Sequence, residues 1–145
     1  MAGWRACLTW MLAGAVLLEI PTPPPGLDRA LADDYRRALV TQGFQVISLV
    51  ITDRRANGGI RRAEIAYRTR TAGTLSALRP EVVRVIAPSA NPRLALDLVV
   101  VRAVRREGSV AAAITVQVAV IDRWLKAQIS DDEFFGRWVV RRGSR

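Results

Sequence analysis

The chain has 145 residues and a net charge of +9, from 22 Lys and Arg against 13 Asp and Glu, with one cysteine and no histidine. That inventory excludes a disulfide framework, a Cys/His metal site and nucleophilic mechanisms that use histidine as the base. Half of the residues are apolar, so one folded domain is expected rather than a disordered chain.

The chain opens on a short basic stretch, Met1 to Arg5, followed by thirteen residues without a charge, Ala6 to Leu18, and then the proline-rich Pro21 to Gly26. This order is that of a signal peptide or a short membrane anchor. The apolar run falls short of the ~20 residues of a spanning helix and fits a signal-peptide core of about 7 to 15. The alternative is an apolar helix folded into the domain core. The expected organisation is a leader at 1–20, a proline-rich linker at 21–26, a folded domain at 27–140 and a basic tail at 141–145. The leader implies the cell envelope, membrane-anchored or secreted; the core-helix alternative implies the cytoplasm.

Leu27 to Gln42 has Leu27, Leu31, Tyr35, Ala38, Leu39 and Gln42 on one face at helical spacing, with Gly43 as its stop. Phe44 to Asp53 is β-branched and aromatic, which predicts a strand. It carries apolar residues on both faces, as a strand covered on both sides, or covered by the leader, would. Asn57-Gly58-Gly59 signals a tight turn, and Ile60 to Thr71 then alternates. Ala63, Ile65, Tyr67 and Thr69 point one way, and Arg62, Glu64, Ala66, Arg68 and Arg70 the other.

Pro80 and Glu81 suit the first turn of a second helix through Ala87. A loop is expected at Pro88 to Arg93, a strand at Leu94 to Val104, a turn at Glu107-Gly108-Ser109 and a partner strand at Val110 to Val118. Ile121 to Gln128 reads as a short helix. Ser130-Asp131-Asp132-Glu133 is a capping box that opens another. Val139 and Val140 lead into the tail. The fold class expected is α+β: a single small domain in the order α-β-β-α-β-β-α, with an antiparallel sheet, helices mainly on one face and an apolar N-terminal helix ahead of it.

Arg5 and Glu19 are the only charges before Leu27, so the domain itself carries the whole +9. All but Lys126 of its basic residues are arginine, which a GC-rich coding bias also produces. A field of this sign attracts polyanions. The candidate contacts for a polyanion or a partner are Arg62, Arg68 and Arg70 on one pleat, with Arg54 and Arg55 at the same hairpin. A solvated strand face that discourages edge pairing accounts for the same residues. Tyr67 lies on the opposite pleat, so the aromatic platform of single-strand readers is absent. Asp131, Asp132 and Glu133 fit an acidic first helical turn and lack the alternation of a calcium loop. Asp97 is a lone carboxylate in an apolar run. Trp124, Phe134, Phe135 and Trp138 are expected to close the core.

No nucleophile with a base, no phosphate-cradling glycine loop and no recognisable carboxylate pair occurs. No enzymatic activity, cofactor or metal is therefore expected. The function expected is binding, as an exported or membrane-tethered accessory module for a protein or anionic partner. The alternative is a cytoplasmic basic protein that binds nucleic acid.

Overall fold

A computed structural model describes residues 27–71 and 74–143; the leader and linker, and with them the expected apolar N-terminal helix, lie outside the described residues. Helix α1 spans Leu27–Thr41. It buries Leu31, Ala32, Tyr35 and Leu39, while Ala38 and Gln42, expected on the same face, are exposed. Gly43 ends it at φ +88°, a conformation that costs glycine no Cβ clash.

Strand β1, Val46–Asp53, pairs antiparallel with β2, Arg61–Arg68, which confirms the hairpin. The connection is longer than a two-residue turn. It contains a 3₁₀ turn at Arg55–Asn57, closed by Gly58 at φ +73°. β1 is an edge strand and not a central one. Its register slips between Val46 and Ser48, so Ile47 is the extra residue of a bulge. That slip returns Val46 to the face of Leu49 and Ile51, which explains why strict alternation fails here. Along β2 the alternation holds: Ala63, Ile65, Tyr67 and the following Thr69 are buried.

Helix α2, Leu75–Ile86, begins before Pro80, not at it. Thr74 is its cap, and its side chain accepts from the Ala77 N–H at 3.3 Å. Two 3₁₀ turns, Ala87–Ala90 and Pro92–Leu94, delay β3 to Leu98–Val104. β4, Val110–Gln117, runs directly into α3, Val118–Leu125. Ser130 caps α4, Asp131–Gly136, by accepting from the Glu133 N–H at 3.2 Å, as the sequence pattern predicts. The expected tail is corrected in part. Val139–Arg142 is strand β5, paired antiparallel with β4, because Gly143 allows the backbone to approach Val110 where any Cβ would overlap its carbonyl oxygen.

The α+β class and the single domain stand, with five strands in the order β1-β2-β3-β4-β5. The sheet is mixed rather than antiparallel. β2 and β3 are parallel, because α2 carries the chain back across the sheet before β3 begins. Helix residues Tyr35, Leu39, Leu78, Val82, Val85, Ile86, Ile121 and Phe134 join Ala63, Ile65, Tyr67, Val99, Val101 and Ile114 in one core on one sheet face. On the opposite face Val50, Glu64, Val100, Thr115 and Val139 stand in register, with Val50 53% and Val139 60% exposed. Among the described residues no helix is long and apolar enough to cross a membrane.

The two tyrosines sit deep in this core. The Tyr35 hydroxyl donates to the Val85 carbonyl at 2.6 Å, whereas the Tyr67 hydroxyl has no hydrogen-bond partner. Burial pushes both phenols above their usual range, and the Glu81 carboxylate adds to the effect at Tyr67. A raised phenol stabilises the fold fully below the unfolded value of about 10, and that stability is lost as pH climbs beyond it. Tyrosinate absorbance is therefore expected to rise together with loss of circular dichroism, in one alkaline transition. Tyr67→Phe, which removes an unpaired hydroxyl, leaves stability unchanged or raises it by up to about 1 kcal/mol.

Candidate functional site

The two ends of the sheet differ electrostatically. At the start of β2, Arg55, Arg61 and Arg62 are matched by carboxylates, while Arg54 and Arg93 have none within 4.0 Å among the described residues. Arg61 is 3% exposed and donates to Asp28 at 2.7 Å, Asp53 at 3.3 Å and the Leu94 carbonyl at 2.7 Å. Asp97 is exposed at the mouth of β3 and accepts from the Arg61 main-chain N–H at 2.9 Å, which accounts for a carboxylate in that apolar run. Arg55 grips Asp53 through a fork of contacts at 2.6 to 3.2 Å. That grip holds the Asp53 carboxyl far below the usual range, aided by the Arg55 N–H and by the charge of Arg61. Arg62 pairs with Glu64 at 3.2 Å.

At the carboxyl ends of β2 and β3 the balance changes. Arg68 closes β2, and the turn Thr69-Arg70-Thr71 follows it. Arg105 and Arg106 follow β3, and Arg142 lies on β5. On the open face Arg102 and Arg141 flank Ala113 in one row. Among the described residues none of these seven arginines has a carboxylate within 4.0 Å.

This end is held rigidly. Glu81 of α2 accepts from the Thr69 hydroxyl at 2.9 Å and from the Arg70 N–H at 3.2 Å, which fixes the turn. Arg70 donates to the Gly43 carbonyl and Arg68 to the Arg106 carbonyl, both at 2.5 Å. The Arg68 Nε is buried without a partner. Glu107 is a second carboxylate at this end. Its own main-chain N–H and the Ser109 hydroxyl, at 2.8 Å, hold it below its usual range. Two cavities open here. One, of about 660 Å³, is lined by Gln45, Arg68, Thr69, Arg70, Arg105 and Arg106, among others. The other, of about 640 Å³, lies between the start of α2 and β5 and is lined by Thr74, Ser76, Arg105, Val140, Arg142 and others.

No family model, curated protein or solved structure matches the chain. The site therefore rests on its own geometry.

Arg62 and Arg68 share the open face of β2, but the five arginines singled out in the sequence divide between the two ends of the strand. Arg54, Arg55 and Arg62 lie at the carboxylate-rich end, whereas Arg68 and Arg70 lie at the basic end, the length of β2 away. The structure adds Arg102, Arg105, Arg106, Arg141 and Arg142 to Arg68 and Arg70. The parallel pairing of β2 with β3 brings this about. Arg68 is in register with Val104, so Arg105 and Arg106 emerge beside it; antiparallel pairing would have sent them to the far end. The Arg105-Arg106 pair is visible in the sequence, but its neighbour across the sheet is not. Among the described residues no group of three or more His, Cys, Asp or Glu could hold a metal.

Proposed function

We propose that this protein acts by binding, as an exported or membrane-tethered accessory module, and that the basic end of the sheet is the surface that engages an anionic partner. The observation that carries this reading is the separation of charge. Arg55, Arg61 and Arg62 at the start of β2 are neutralised in place, whereas among the described residues none of the seven at the other end is paired, which leaves those seven to meet charge from outside. Arg68, Arg70 and Arg105 are held by hydrogen bonds and lose little freedom when a ligand arrives, so their positions favour affinity. The export element of the proposal rests on the order of charge, apolar run and proline in residues 1–26.

The full-length chain is titrated with heparin over a range of salt. Affinity is expected to fall linearly with the logarithm of salt. The double variant Arg102→Ser, Arg141→Ser is expected to weaken binding by roughly 100-fold, about tenfold for each charged contact removed. Arg54→Ser with Arg55→Ser is expected to leave it unchanged. Equal weakening by both pairs, or no salt-dependent binding, overturns the assignment of this surface. Tighter binding of duplex DNA than of heparin through Arg102 and Arg141 favours the nucleic-acid reading instead.

A further inference from the structure

We infer that the two cavities at the basic end form one groove, joined at Arg105, whose ligand is an oligophosphate or a molecule carrying at least two phosphate groups. The inference rests on the proposed anion-binding role and narrows its ligand. Arg105 lines both cavities. Around them stand five guanidinium groups, Arg68, Arg70, Arg105, Arg106 and Arg142, against two carboxylates, Glu107 in the lining and Glu81 bonded to Thr69 and Arg70 just behind it. That leaves a net charge of +3, more than one phosphate group can neutralise.

Size points the same way. Either cavity, at about 660 and 640 Å³, is far larger than one phosphate. The groove runs across β2, β3, β4 and β5, about 14 Å from strand to strand in total. Guanidinium forks match phosphate oxygens in pairs. The second cavity adds the N-terminus of α2, a twelve-residue helix without an acidic residue in its first turn.

The test is calorimetric titration of the full-length chain with orthophosphate, pyrophosphate and tripolyphosphate at matched ionic strength. Tripolyphosphate is expected to bind about 100-fold more tightly than orthophosphate, the gain of two further charged contacts. Arg105→Ser is expected to remove about tenfold of that preference, and Arg105→Lys, which keeps charge without the fork, to recover only part of it. Circular dichroism of both variants secures their folding. Arg54→Ser serves as the control and binds as the unaltered chain does.

Equal affinity for orthophosphate and tripolyphosphate overturns the groove, as does a folded Arg105→Ser variant that keeps the preference. If heparin still binds in either case, the groove fails and the anionic surface survives. If heparin binding is absent too, both fail. Sedimentation with vesicles rich in phosphatidylglycerol separates the sources of phosphate. Capture that depends on Arg105 assigns lipid headgroups, and tripolyphosphate binding without such capture assigns a soluble ligand.

Discussion

Phe134→Ala is expected to destabilise the domain by about 3 to 5 kcal/mol, read as a lower midpoint in urea at an unchanged slope. Phe134 is 0% exposed and is the hub of the C-terminal aromatic group. Trp124 stacks on it at 4.5 Å with the rings 8° apart, Phe135 stands at 5.4 Å, and Trp138 meets it edge-on at 5.5 Å. Removing the ring leaves a cavity whose walls belong to α3, α4 and the approach to β5. The six-residue α4 is too short to persist without that packing. The same substitution therefore loosens β5 and moves Arg142. Trp124→Ala is expected to cost less, because Trp124 is half-buried and its Nε1 donates to Asp131 at 2.7 Å near the surface. An unchanged urea midpoint for Phe134→Ala would show that the aromatic group is not part of the cooperative core.

Arg61→Met is expected to lower Tm by on the order of 10 °C, which is what about 3 kcal/mol becomes in a domain of this size. The methionine fills much of the volume but supplies no donor. The Asp28 carboxylate and the Leu94 carbonyl then lose the guanidinium that joins α1, β2 and the turn before β3. Thermal unfolding followed by circular dichroism checks this, and a Tm within a degree or two of the unaltered protein contradicts it. The same junction sets the acid response. The Asp53 carboxyl is held low chiefly by its hydrogen bonds from Arg55. A group depressed in the folded state stabilises it fully above the unfolded value of about 4, and that stability is lost as pH falls through the folded one. Asp53→Asn is therefore expected to flatten the fall in stability below about pH 4.

Local structure was legible where one residue type dictated it. Gly43, Ser130 and the alternation of Ile60 to Thr71 predicted a helix stop, a cap and a strand; the stop and the cap stand, and the strand occupies Arg61–Arg68 of the expected stretch. Expectations failed where a distant partner decides. The bulge at Ile47 exists only against β2, and β5 forms only because β4 offers it an edge that Gly143 can approach. Pro80 was read as a helix start because proline favours the first turn, yet Thr74 caps the helix earlier. The basic end was half legible. Arg68 and Arg70 could be named from the strand pattern, but Arg105, Arg106 and Arg142 join them only through the parallel crossover and the fifth strand.

Strand β2 also has a mechanical meaning. It begins at Arg61, fastened to Asp28 where the described chain starts, and ends at Arg68 in the basic groove. A pull between Arg61 and Arg68 runs along the strand's own axis, over about 23 Å. β2 has β1 on one side and β3 on the other, each in register with it over most of its length. Such a load shears both ladders at once instead of unzipping one pair at a time, so the hydrogen bonds resist together.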